Sequence, residues 1–407
     1  MCDVQANIEH EATKKHYLDM LVIFLLMNYV YISGLIGDIL TLFYCCLVIG
    51  TILFSMRFLT RMLKYKLVLD RLMLILLVFT AWVGISRVYS SSSIYAAMKL
   101  REFLVVISIG FLIRGIVANR GEAFLLDYFK FIVYMNIAII LASTYIFRSQ
   151  LIGYVLASRR LFLYGNNLNP IWYGRIICET ILGIFILNHM TNKRRRSLPA
   201  FLLLAVPLVV VSGSKGPVVS LLVAFPVFKF LVNPSELKIK RVHVVRIAQI
   251  IIVATLLVVI VINVFDMELV RNRFFNTESL RVSQGSRMER ILFTIETSLD
   301  HVMIGAGLGS WASLYGGHQQ RDYVHNILLE LLSETGLIGV VIFCLLFINA
   351  TVGVTTSLLT YKIFYSFFVY NLVNSMFSGD LPANRGVFIY LSILSAIRAN
   401  IYNAPMK

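Results

Sequence analysis

Hydrophobic runs of membrane-spanning length follow one another along almost the whole chain, and no other feature narrows its possible folds as far. A helix needs about 20 mostly apolar residues to cross a bilayer, because in lipid each backbone N–H and C=O must be paired within the segment. Such runs fall near residues 18–36, 39–56, 71–87, 102–118, 125–147, 170–190, 198–212, 217–232, 245–265, 326–349, 355–376 and 386–400. With 58% hydrophobic and only 14% charged residues, a chain of 407 residues cannot cover a water-facing surface. The expected fold is an all-α integral membrane protein of about twelve transmembrane helices, a single polytopic domain over residues 1–407. Arg114 interrupts the fourth run, and the seventh and eighth close a hairpin around Ser212-Gly213-Ser214-Lys215-Gly216.

A net charge of +16 would suggest nucleic acid for a soluble protein, but here the basic residues form short clusters between apolar runs. Arg57, Arg61, Lys64 and Lys66, then Lys193 to Arg196, then Lys238, Lys240 and Arg241, all fall on one side when spans alternate. That side is read as cytoplasmic, which puts both termini there and gives nucleic acid no role. The five cysteines lie in the N-terminal tail or in apolar runs, so no disulfide framework is expected. The polar first residues, through Tyr17, do not have the pattern of a cleaved signal peptide.

The alternation leaves one large extracytoplasmic loop, residues 266–324, expected to hold short amphipathic helices. Ser286-Arg287-Met288-Glu289 has the capping-box pattern and precedes Ile291, Leu292, Ile295 and Leu299 at helical spacing. A helix starting there would present free N–H groups beside Arg287 and Arg290, an anion site. A helix docked on the bundle with solvated arginines fits the same pattern.

Where the loop re-enters the membrane, His325 stands at the boundary, where an imidazole suits general-base work. An isolated interfacial histidine is more often a polar anchor. Asn326, Glu330 and Glu334 follow at i, i+4 and i+8, one stripe of one helix, and carboxylates within a span normally face the bundle interior or a wet cavity. Lys215, next to a helix start and glycines, favours a phosphate or merely closes a tight hairpin. Arg175 and Glu179, four apart, are placed to form an ion pair, with Arg175 the better placed to reach a substrate. Asp380 and Arg385, in the last outer turn, can contact sugar or stand in solvent. Gly305-Ala306-Gly307-Leu308-Gly309 lacks the spacing and the βαβ context of a dinucleotide site. No metal-ligand spacing, P-loop or G-x-S-x-G is present, so neither a metal nor a cofactor is expected.

Three pieces together resemble the bacterial O-antigen polymerase and O-antigen ligase superfamily. They are Val324-His325-Asn326 through Glu334-Thr335-Gly336-Leu337-Ile338-Gly339, Gly305-x-Gly307-x-Gly309, and Ser212-Gly213-Ser214-Lys215-Gly216 before a span. The resemblance covers roughly residues 166–347. It implies a glycosyltransferase-C-like bundle in the bacterial cytoplasmic (inner) membrane, acting on undecaprenyl-pyrophosphate-linked oligosaccharide without metal or nucleotide. Carried onto matching positions, it gives His325 the role of base and Arg287 a phosphate role. Lys215 stands where arginine is common in the family, keeping charge but losing the bidentate fork. Arg290, Arg175, Asn326, Glu330, Glu334 and Arg385 complete the candidate pyrophosphate- and glycan-binding set.

The favoured activity is polymerisation, transfer of a glycan from undecaprenyl pyrophosphate to the terminal hydroxyl of another lipid-linked repeat unit. A ligase transferring the glycan to lipid A-core is the first rival, and a polysaccharide transporter or flippase a distant one, since no internal repeat is visible. A chain-length regulator and a flippase are the protein partners such a polymerase would use.

Overall fold

In a computed structural model of the chain, the described residues are 17, 19–28, 70–118, 122–148, 169–190, 197–232, 277–352 and 358–403. The expected second and ninth spans, the three basic clusters and the start of the large loop lie outside them. All regular structure among the described residues is helical. The helices are α1 (Asp19–Asn28), α2 (Arg71–Ser86), α3 (Ser93–Ala118), α4 (Glu122–Ile146), α5 (Pro170–Met190), α6 (Ser197–Ser212), α7 (Lys215–Val232), α8 (Thr277–Leu299), α9 (Ser310–Gly316), α10 (Ile327–Val352), α11 (Leu359–Ser375) and α12 (Arg385–Asn403). Four of them, α4, α5, α7 and α10, are long and apolar enough to cross a membrane.

Helix α3 begins nine residues before the apolar run that announces it, taking Lys99 into the bundle, where the side chain is fully buried. A lysine normally marks the end of a span; here carboxylates from a distant helix offset its charge. Arg114, near the other end of α3, is buried too. Its Nε donates to Ser395 Oγ at 2.8 Å and its guanidinium lies 3.8 Å from Asp70, which also caps α2 by accepting from Met73 N at 3.2 Å. The apparent interruption of the fourth run is thus one member of a buried polar layer. Between the two charged layers Phe79, Phe103, Phe343 and Phe388, from α2, α3, α10 and α12, pack edge-on and stacked with centroids 5.2 to 6.3 Å apart.

The organising irregularity is in α10. Gly336 has φ 68° and ψ −172°, so the helix breaks there and resumes. A break in lipid strands backbone groups, and each must find a partner. The chain at 302–308 supplies them: Leu337 N and Ile338 N donate to the carbonyls of Val302 and Met303 at 2.8 and 3.2 Å. Ala306 N and Gly307 N in turn donate to those of Ser333 and Glu334 at 2.8 and 3.0 Å. Trp82 Nε1 donates to the Thr335 carbonyl at 2.9 Å. On its other side the same segment is held by α2 and the turn that follows, with Leu308 N donating to Ser86 O at 3.1 Å and Ser90 Oγ to Leu308 O at 2.6 Å.

This docking explains the glycine triplet. A Cβ on Gly305 would lie 2.5 Å from the Glu334 carbonyl carbon, and one on Gly307 2.4 Å from Ser90 Cα, and both glycines have positive φ. The motif lets one backbone lie directly against two others. The tightest point is Gly336, where a Cβ would meet Met303 O at 2.3 Å. Gly336→Ala is therefore expected to cost about 3 kcal/mol from strain and overpacking combined, read as a lowered melting temperature in detergent. An unchanged melting temperature would show that the break is not needed.

Candidate functional site

The N-terminal half of α10 carries the site. Asn326 caps it, its Oδ1 accepting from Leu328 N and Leu329 N at 3.0 and 3.2 Å, and its Nδ2 donates to Met376 O at 3.4 Å. Of the candidate residues it is thereby the one with a plain structural duty, as an N-cap. Immediately before it, His325 adopts φ 64°, the only positive φ at a non-glycine among the described residues. Such a conformation costs of order 1–3 kcal/mol and persists only where surroundings impose it. The imidazole packs edge-on against Tyr323, centroids 4.5 Å apart, with Nδ1 buried and unpartnered. Burial, followed by the positive charges of Arg287 and Arg290, pushes its pKa down to about 4, so the ring is neutral and holds an open lone pair at physiological pH.

One turn further on, Glu330 and Glu334 converge on Lys99. Lys99 Nζ lies 2.7 and 2.6 Å from the two Glu334 oxygens and in contact with Glu330 Oε1. All three side chains are essentially inaccessible. The cluster continues into the turn after α11: Glu330 Oε1 accepts from Leu381 N at 3.1 Å, and Asp380 accepts from Tyr95 OH at 3.1 Å and from Arg321 at 2.7 Å. Arg321 lies four residues before His325. The strained histidine is thus clamped on both flanks, by Arg321 through Asp380 and by Glu330 through Leu381.

The expected free helix start beside Arg287 is not present. Helix α8 begins at Thr277, so Ser286 lies in its interior and the N–H groups around Arg287 are already within a helix. The capping-box pattern misleads because the residues upstream, Thr277 to Gly285, continue the helix rather than leading into it. Arg287 is exposed. Arg290 faces inward: it donates to Asp322 at 2.6 Å and to Tyr323 O at 3.0 Å and stacks over Trp311 and Tyr315 at 5.1 and 5.0 Å. Its charge therefore ties α8 to the segment that carries His325. Met288, Leu292, Ile295 and Leu299 form the exposed apolar stripe of α8, while Thr294 and Ser298 are buried beneath it.

Arg175 and Glu179 are spent on other partners than each other. Arg175 donates to Ser378 O at 2.8 Å and, at 3.4 Å, to Asn374 O and Asn384 Oδ1, whereas Glu179 accepts from Tyr390 OH at 2.5 Å and from Asn371. Lys215 is exposed in the first turn of α7, two residues earlier than expected. The neighbouring Gly216 sits so close to Phe377 that a Cβ would approach its Cβ to 2.8 Å. Arg385 lies over Trp172 at 4.5 Å. The turn at 376–385 thus gathers the starts of α5, α7, α10 and α12 at the His325 end of the bundle.

Residues 200–344 match the family model described as O-Antigen ligase. Over these residues the chain is similar to that family, which supports the expected O-antigen polymerase and ligase superfamily. No curated protein matches the sequence. The matched segment holds Lys215, Arg287, Arg290, His325, Asn326, Glu330 and Glu334, but not Arg175, Arg385 or the 376–385 turn. Nor does it include Lys99, which with Arg321 and Tyr95 joins the candidate cluster without having been singled out from the sequence. The only signal of Lys99 is a cation inside a helix long enough to span, the counterpart of the two carboxylates on α10.

Removing one partner of a buried ion cluster leaves uncompensated charge, which costs about 3–5 kcal/mol. Lys99→Met is expected to lower the melting temperature sharply, and Lys99→Met with Glu334→Gln to recover part of the loss. Thermal melting of the three purified proteins measures this, and a double variant no better than Lys99→Met would refute the pairing.

Proposed function

We propose that the chain is a polysaccharide polymerase of the bacterial inner membrane, transferring a glycan from undecaprenyl pyrophosphate to the terminal sugar hydroxyl of a second lipid-linked repeat unit. The observation that carries this reading is the neutral, strained His325 held beside Arg287 at the mouth of a buried charge cluster.

The acceptor hydroxyl gives its proton to the imidazole as its oxygen attacks the anomeric carbon. The bond from that carbon to the pyrophosphate oxygen breaks, and the electron pair leaves with the lipid pyrophosphate. Concentrated negative charge develops on the leaving group, so fixed cations near it stabilise the transition state more than the ground state. Arg287 and Lys215, both exposed, are the cations suited to this because a substrate can reach them. Arrival of the anionic donor beside Arg287 offsets one of the charges that depress the histidine, making it a better base when substrate is bound. The activated donor supplies the driving force.

Transfer to a lipid A-core acceptor is the second reading, favoured by the description of the matching family model. A surface-glycan gel of a deletion strain separates the two. With the wild-type gene restored, the ladder returns; with His325→Ala, a polymerase leaves single-repeat bands, and a ligase leaves no attached glycan. A full ladder from His325→Ala at normal expression would remove the histidine from the chemistry.

The depressed histidine also sets a pH profile. The base is lost only on protonation, so kcat/KM should stay level down through the usual histidine range and fall towards pH 4. Arg287→Gln removes a positive neighbour, which raises the imidazole pKa and moves the acid limb of the residual rate to higher pH. An acid limb that is unmoved, or that already lies near 6.5 in the wild type, would count against this electrostatic account.

A further inference from the structure

A cavity of about 70 Å³ lies between α1, α4, α5, α11 and α12, bounded by Ala383 and Arg385 of the 376–385 turn. By volume it has room for about five waters. Its apolar wall includes Met27, Ile132, Ile176 and Ile389, and its polar groups include Asn136, Arg175, Glu179 and Arg385. Two of these groups present unpaired atoms. Asn136 is 3% exposed and its Oδ1 accepts no hydrogen bond, and Arg175 Nε is buried with no acceptor. Buried polar atoms are nearly always paired, so an orphan acceptor and an orphan donor lining one cavity point to something that fills it.

The chemistry of that something follows from the signs. A phosphate offers acceptors alone: it could pair with Arg175 and Arg385, but it would leave the orphan Asn136 Oδ1 without a donor and would face the Glu179 carboxylate. A hydroxyl both donates and accepts. A ring edge bearing two or three hydroxyls can donate to Asn136 Oδ1 and Glu179, accept from Arg175 Nε, and lay its C–H face on the isoleucines. We propose that this cavity is a sugar subsite, taking the hydroxylated edge of one residue of the neutral glycan and not its pyrophosphate. The inference rests on the glycosyl-transfer reading above and names the part of the substrate that the cavity holds. Arg175 couples the two regions, since the guanidinium beside the cavity also donates to Ser378 O and Asn384 Oδ1 in the turn that contacts Asn326.

The test uses the full-length protein in nanodiscs and, as probe, the lipid-free repeat-unit oligosaccharide released by mild acid from the strain's own surface polysaccharide, with saturation-transfer NMR as readout. Wild type and His325→Ala should both give transfer to one sugar's ring protons. Asn136→Leu should weaken binding tenfold or more, and Glu179→Gln, which keeps the shape and an acceptor, should weaken it less. Equal melting temperatures confirm that the variants are folded. Binding that survives Asn136→Leu unchanged would mean that the cavity holds water only, and overturns the proposal. So would absence of binding by a wild type that still restores the glycan ladder, an outcome that leaves the glycosyl-transfer reading standing. Binding that is sensitive to Asn136, in a strain whose glycan is unaffected by deletion of the gene, supports the subsite and overturns the transferase reading instead.

Discussion

A helix crossing lipid cannot leave backbone groups unpaired, and α10 breaks at Gly336 well inside its length. What permits the break is the irregular segment 302–308, whose amides and carbonyls replace those the helix forgoes. Nearly every feature of the site depends on that exchange. It anchors the segment after α8 against α10, and so fixes where the chain must turn back through Arg321 and His325. It also leaves a short half-helix that brings Glu330 and Glu334 to Lys99. Pairing across the break explains the positive φ of Gly305 and Gly307, where a Cβ would strike Glu334 or Ser90, and why Trp82, from another helix, donates to one carbonyl.

The charged groups divide by burial into two tasks. Lys99, Glu330, Glu334 and Asp380 are sealed from water and paired, the two glutamates with Lys99 and Asp380 with the partly exposed Arg321, so they hold geometry. Arg287 and Lys215 are exposed, and cations that meet a departing pyrophosphate need that access. Arg290, half-buried against Trp311 and Tyr315, belongs with the first group although it lies one turn from Arg287. The neutral histidine stands between the two sets. Its low proton affinity in the free protein is a consequence of position, and an anionic donor is the ligand that would relieve it.

Much of this was legible in the sequence where a local rule operates. Apolar runs gave the helices because lipid exposure selects for them, and the i, i+4, i+8 stripe of Asn326, Glu330 and Glu334 marked an inward face because carboxylates do not face lipid. The partner of that stripe was not legible: Lys99 is 235 residues from Glu334, and only tertiary packing reveals why a lysine sits inside a helix there. Two local rules misled for the same reason. The Ser286 box describes a helix start only if the preceding residues are not themselves helical, and the Arg175–Glu179 spacing permits a pair only if neither finds a better partner. The role of the glycine triplet in docking one backbone on another could not be read without knowing what lies against it.

The most direct test of the central claim is reconstitution of the purified protein in proteoliposomes with radiolabelled undecaprenyl-pyrophosphate repeat units and no other acceptor. Polymerisation predicts labelled chains of two or more repeats still bound to the lipid, with undecaprenyl pyrophosphate released at one per bond formed, and no such products from His325→Ala. Repeat units that remain single in the presence of folded wild-type protein, and are consumed only once lipid A-core is added, would contradict the polymerase account and establish the ligase.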